Sequence, residues 1–144
     1  MITKDQMKNI SSNERKGAWA QTFTGKQFWP LDPRPDEVNL IDIAHSLAQQ
    51  PRFNGHSLKF YSIAQHSVLV SKIVHPSQAL PALFHDASEA YTGDIISPSK
   101  KFLPPEFKQI EIKIENVIFK KFNIDPETVD HKDIKKADKI ILVT

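Results

Sequence analysis

Apolar residues recur at helical spacing in one segment of this chain after another, and a proline stands at nearly every break between them. Leu40, Ile43, Ala44 and Leu47 predict a first helix that begins within the stretch after Asp36 and ends near Gln50, before Pro51. Ser62 with Gln65 forms a capping box for a second helix carrying Ala64, Val68, Leu69 and Ile73, which ends before Pro76. Ser77 is expected to cap a third helix bearing Leu80, Leu83, Phe84, Ala87 and Tyr91, with Pro81 tolerated in its first turn and Thr92-Gly93 as its stop. A loop with Ser97-Pro98 and Pro104 leads to a long helix from about Pro105 to Phe122. A turn at Asp125-Pro126-Glu127 follows, then a last helix opened by Asp130 and Asp133 and bearing Ile134, Ala137, Ile140 and Ile141. Only Trp19 to Pro30 breaks this pattern, with aromatic and threonine residues on both sides of Thr24-Gly25, and it reads as a short hairpin. The expected class is all-α, or mainly α: five to six helices and a minor N-terminal β-hairpin.

With 144 residues, 40% of them apolar and 25% charged, the chain has the size and composition of one folded domain. Residues 1–16 read as a polar leader and 17–144 as the domain. The absence of cysteine excludes disulfides, thiolate metal sites and cysteine nucleophiles. A metal must then be held by nitrogen and oxygen. A formal charge of +2 argues against dedicated nucleic-acid binding. No run is apolar enough for a membrane span or a signal peptide, so a cytoplasmic location is expected.

Six histidines in so short a chain are the anomaly. His45, His66 and His85 fall near interior faces of predicted helices. His85 is followed directly by Asp86, and Glu89 lies four and three residues further on, along one helical edge. Three ionisable groups among Ala, Leu and Phe need compensation. A divalent cation supplies it, with His66 and Asp138 as the best-placed further ligands. Two imidazoles and two carboxylates suit zinc, manganese, cobalt, nickel or iron better than calcium. An octahedral arrangement leaves positions for water and a phosphate oxygen, which is a hydrolytic geometry. His45 reads as structural and His75 and His131 as surface residues, while Trp19, Phe28 and Trp29 read as packing.

Three segments carry a resemblance: Ser62-Ile-Ala-Gln-His66-Ser-Val-Leu-Val-Ser71, Ala82-Leu-Phe-His85-Asp86-Ala-Ser-Glu89-Ala-Tyr-Thr-Gly-Asp94, and Lys135-Lys-Ala-Asp138-Lys139. In this order they resemble the HD superfamily of metal-dependent phosphohydrolases. The chain looks most like its small 5′-deoxynucleotidase group and the related phage-type phosphohydrolases, including dATP triphosphohydrolases. The resemblance implies an HD-domain helical bundle in which His66, His85, Asp86 and Asp138 hold one divalent transition metal. It makes Glu89 the residue that orients or deprotonates the attacking water and Asp94 a carboxylate near that water or the sugar. Arg52 with Phe53 would bind phosphate and pack on sugar or base, Lys100 would serve the phosphate, and His56 is a further contributor to substrate binding. The implied activity is hydrolysis of a (deoxy)nucleotide phosphate ester, of nucleotidase or triphosphohydrolase type, and the implied partners are a nucleotide and a second copy of the chain. A nucleotide-sensing domain that keeps fold and metal without turnover is the alternative. Two departures stand out: Ile96 where the family often has proline, and a last helix whose ligand Asp138 lies close to Thr144.

Overall fold

The structure is a computed structural model that describes residues 15–142, so most of the expected leader lies outside the described residues. The chain opens with a two-stranded antiparallel hairpin, β1 (Ala20–Gln21) and β2 (Gln27–Phe28), in the register Ala20 to Phe28 and Gln21 to Gln27. Its turn closes by the Gly25 N–H donating to Thr22 O at 2.9 Å, and Gly25 takes the left-handed φ of 87° that this turn requires. Seven α-helical segments follow among the described residues: α1 (Leu40–Gln49), α2 (Ile63–Ile73), α3 (Ala79–Leu83), α4 (Glu89–Thr92), α5 (Ser97–Lys100), α6 (Pro105–Lys121) and α7 (His131–Leu142). The mainly helical class with a small N-terminal sheet is thus as the sequence predicts. No helix among the described residues is long and apolar enough to cross a membrane.

Capping explains most boundaries. Asn39 accepts from the Asp42 N–H and starts α1 at Leu40, later than the stretch after Asp36 suggests, because Pro35–Glu37 forms a separate 3₁₀ turn. Ser62 accepts from Gln65 N–H at the head of α2, as expected. Asp130 accepts from the N–H groups of Lys132 and Asp133 and caps α7. The third helix differs from expectation. His75, not Ser77, caps the turn that enters it, accepting the Ser77 N–H on Nδ1. The helix itself then breaks between α3 and α4. His85 N–H and His85 Nδ1 both meet Ala82 O, at 3.2 and 2.6 Å, the acceptor that a continuing α-helix would give to Asp86. From there the bonding runs with 3₁₀ spacing: Ala87 to Phe84, Glu89 to Asp86, Ala90 to Ala87.

The core has two parts. Phe28, Ile43, Leu47, Ile63, Ile114 and Ile118 lie in the larger, which joins the hairpin, α1, α2 and α6. Val70, Val74, Ala82, Ile134 and Ala137 seal α2 against α3 and α7. Leu40 falls outside this stripe and is exposed, since the inward face of α1 is set by Ile43, Leu47 and the buried Asp42. Asp42 accepts from the N–H and hydroxyl of Thr24 at 2.7 and 2.9 Å, tying the hairpin turn to α1. The packing of α2 between α3 and α7 is what brings the remote histidines and aspartates together.

Candidate metal and phosphate site

His66 projects from the middle of α2 and is almost wholly buried. His85 and Asp86 stand in the 3₁₀ stretch between α3 and α4, and Asp138 comes from the penultimate turn of α7. His66 Nε2 lies 2.6 Å from Asp138 Oδ1 and 3.7 Å from Asp86 Oδ2, and His85 Nε2 lies 3.1 Å from Asp86 Oδ2 and 3.8 Å from Asp138 Oδ1. One ligand atom each from His66, His85 and Asp138 falls within a 4.8 Å cluster, with Asp86 beside it.

The direction of these atoms is as informative as their distance. His66 Nε2 and His85 Nε2 are buried and, although carboxylate oxygens stand close to both, neither has a hydrogen-bond partner. Two buried imidazole nitrogens facing a shared space with a carboxylate form a group that could hold a divalent metal, and an orphaned buried nitrogen is otherwise costly. The opposite ring nitrogens have the partners such a role needs. His85 Nδ1 meets Ala82 O at 2.6 Å, which leaves Nε2 with its lone pair, and His66 Nδ1 meets the Tyr61 hydroxyl at 3.2 Å.

Electrostatics point the same way. Burial lowers the pKa of His85, but its contacts with Asp138 and Asp86 and the Ala82 carbonyl outweigh this and push it up to about 10. The imidazoles of His66 and His85 beside it hold the Asp138 carboxyl well below the ordinary carboxylate range. Burial alone would raise Asp86, yet His85, His66 and Arg52 bring it below its usual value. A proton thus sits where a cation would compete for the same donors.

Glu89 shares an edge with Asp86 three residues before it, and its Oε2 is buried without a partner. Burial first, then repulsion from Asp86 and Asp94, pushes its pKa up to about 9 against the pull of Lys100 and Arg52. Asp94 is raised in the same way by burial, with Arg52 opposing. Arg52 reaches both acids, its NH1 lying 3.8 Å from Asp86 Oδ2 and 3.8 Å from Asp94 Oδ2. Next to it, Phe53 and Asn54 are both left-handed (φ 55° each), a strained conformation for a bulky residue, which sets the Phe53 ring 5.3 Å from the Arg52 guanidinium. Arg52, Phe53, Asp94, Ile96, Pro98 and Leu142 line a cavity of about 310 Å³ that reaches Asp138.

The remaining expected residues are placed differently. Lys100 Nζ lies 2.6 Å from Glu111 Oε1, so a buried carboxylate on α6 holds it, although it stays near enough to pull on Glu89 and Asp94. His56 is exposed, and its backbone N–H closes the turn on Phe53 O at 3.0 Å. His45 is exposed and stacks on Phe23 at 3.7 Å. Two supports escape the sequence reading. Tyr61 precedes the cap Ser62 and buttresses His66, and Gln50 donates to Glu89 O at 3.0 Å, fixing the backbone of that residue from α1. Tyr61 has a sequence signal of a kind, since it stands one turn and a half before His66; Gln50 has none.

Comparison with known proteins places this geometry in a context. A family model described as 5′-deoxynucleotidase YfbR-like matches residues 44–140, a span that contains every residue of the cluster. The chain is 43% identical over 127 residues to the uncharacterized protein YfdR of Escherichia coli, covering 88% of this chain and 70% of that protein. It is 31% identical over 118 residues to an uncharacterized protein of Rhodobacter capsulatus, covering 76% of this chain and 60% of that one.

Proposed function

Because the chain belongs to the YfbR-like 5′-deoxynucleotidase family of HD-domain phosphohydrolases, we propose that it hydrolyses the phosphate ester of a (deoxy)nucleotide with the help of one divalent transition metal. The observation that carries this reading is the pair of buried, unbonded nitrogens, His66 Nε2 and His85 Nε2, facing Asp138. His66, His85, Asp86 and Asp138 would hold the ion. When bound, a divalent cation acidifies water and withdraws charge from a phosphoryl oxygen.

The protein's own groups supply the rest. Glu89 shares an edge with Asp86 and its buried Oε2 has no partner, so this carboxylate is placed to take a proton from the attacking water and return it to the leaving oxygen. Arg52, held in place by Asp86 and Asp94, offers its guanidinium to the phosphate. Lys100 adds positive potential from its seat on Glu111. Phe53, with Ile96, Pro98 and Leu142, forms an apolar wall suited to sugar and base, and Asp94 presents a carboxylate at its edge. His56, on the exposed turn after Phe53, is not among the residues that line this cavity.

The test is product analysis. Metal-loaded protein incubated with a panel of deoxynucleoside mono- and triphosphates should release nucleoside, and a Glu89→Gln variant should lose most of this activity. Failure of the wild-type protein to release nucleoside from any member would overturn the proposal and favour a nucleotide-sensing role.

A further inference from the structure

Glu111 occupies a position that helical periodicity assigns to an apolar side chain. It lies on the buried stripe of α6 with Ile114, Ile118 and Phe119, and its side chain is 8% exposed. Its Oε1 meets Lys100 Nζ at 2.6 Å, while its Oε2 is buried with no hydrogen-bond partner among the described residues, Lys108 Nζ standing 3.8 Å away. A carboxylate placed here is weakly justified by stability, since desolvation offsets the attraction of a buried ion pair and a well-packed apolar side chain does as well or better.

Lys100 closes α5, the four-residue helix in the stretch between Asp94 and Pro105. The backbone hydrogen bonds of this stretch close on itself, with the N–H groups of Ser99 and Lys100 both reaching Ile96 O at 3.0 Å. Its placement against the rest of the fold therefore rests on side chains. At one end Asp94 Oδ2 lies 3.8 Å from Arg52 NH1, and at the other Lys100 is bound to Glu111. Between these ends Ile96, Ser97 and Pro98 form one wall of the apolar chamber. The Lys100 ammonium carries three donors, of which Glu111 needs one. Its side chain is partly open, and it stands near enough to Glu89 and Asp94 to pull the pKa of each downward against burial.

We propose, resting on the phosphohydrolase reading above, that Glu111 is a positioning residue for substrate binding: through Lys100 it fixes α5, and with it the Ile96–Pro98 wall of the chamber and an ammonium beside Glu89 and Asp94. Glu111 itself touches no substrate. A charge is kept at this core position for the placement of α5 and not for the stability of α6.

The experiment compares four metal-loaded full chains on deoxyadenosine 5′-monophosphate: wild type, Glu111→Gln, Lys100→Met and the double variant. Glutamine keeps the size of the glutamate and removes its charge. Glu111→Gln should lose about tenfold in kcat/KM, through KM, with kcat within about threefold of the wild type. Lys100→Met should lose at least as much, and the double variant no more than Lys100→Met, because Glu111 acts through Lys100 alone. Glu111→Gln should also melt within a few degrees of the wild type. Losses that multiply in the double variant, a Glu111→Gln protein within about twofold of the wild type in kcat/KM, a loss confined to kcat, or a melting temperature lower by more than about 10 °C would each overturn the proposal, the last two by assigning Glu111 to the core. If the wild type cleaves no nucleotide, the phosphohydrolase reading fails by itself, and calorimetric titration of the same four proteins with deoxyadenosine 5′-monophosphate decides for Glu111. Binding about tenfold weaker in Glu111→Gln, and no weaker in the double variant than in Lys100→Met, supports the role; binding absent from the wild type, or equal in wild type and Glu111→Gln, refutes it.

Discussion

Replacing Tyr61 by phenylalanine removes one oxygen atom and tests how the site is prepared for a metal. The Tyr61 hydroxyl lies 3.2 Å from His66 Nδ1, and the imidazole it supports is 1% exposed. For His66 to offer Nε2 to a cation, its proton must reside on Nδ1 and donate to the Tyr61 oxygen. In Tyr61→Phe that N–H has no acceptor in the metal-bound state. In the metal-free state the ring can change tautomer and turn its proton toward Asp138 Oδ1, 2.6 Å from Nε2. The cost therefore falls on the bound state alone. A buried donor left unsatisfied costs about 1–3 kcal/mol, and the length of this bond places the effect in the lower half of that range, about 1–2 kcal/mol. Metal affinity should fall by about 5- to 30-fold, which overlaps the lower part of the roughly 10–100-fold span seen when the outer partner of a ligating histidine is lost. Competition against a chelator of known affinity measures it, with the melting temperature of the metal-free protein as control. Equal affinities in the two proteins would refute the assignment of Tyr61 as the partner that orients His66.

Other perturbations follow from the same coordinates. With the His85 pKa pushed up to about 10, a metal must displace a proton at neutral pH, so apparent affinity should rise from pH 6 to pH 9, and a flat profile in the chelator assay would contradict the coupling. Glu89 has the opposite consequence for stability. Its folded pKa of about 9 lies above the ordinary 4.5, so the native state binds more protons between these values and metal-free stability falls as pH rises through that window. Glu89→Gln should flatten this slope and melt higher than the wild type at pH 8; parallel melting curves would argue against the buried carboxyl. Asp42→Ala removes both bonds to Thr24, whose N–H and hydroxyl lie on an exposed turn where water can reach them, and should cost about 2 kcal/mol in urea unfolding. A loss below about 1 kcal/mol would show that the hairpin is not anchored there.

The residues of the cluster are legible in sequence because each sits at a fixed register of an amphipathic helix or beside one. His66 occupies the buried face of α2 set by Ile63 and Val70, and Asp138 follows Ile134 and Ala137 on α7. Periodicity therefore turns both inward. The break after Leu83 is not legible, since nothing in Leu83-Phe-His85-Asp86 departs from a helical pattern. It comes from a side chain, His85, competing for the carbonyl of Ala82. That break also sharpens the site, because 3₁₀ spacing aligns Asp86 with Glu89 more closely than an α-helix would. Contacts between distant elements escape for a different reason. The pairing of Lys100 with Glu111, and the support of Glu89 by Gln50, depend on how α5 meets α6 and α1 meets α4, which local spacing does not encode.

The claim on which the rest depends is that His66, His85, Asp86 and Asp138 hold one divalent metal. Elemental analysis of protein equilibrated with a divalent transition metal and then desalted tests it most directly. The account predicts about one ion per chain in the wild type and little or none in His85→Ala and in Asp138→Ala, each shown by circular dichroism to be folded. A wild type that retains no metal, or folded variants that retain as much as the wild type, would contradict it.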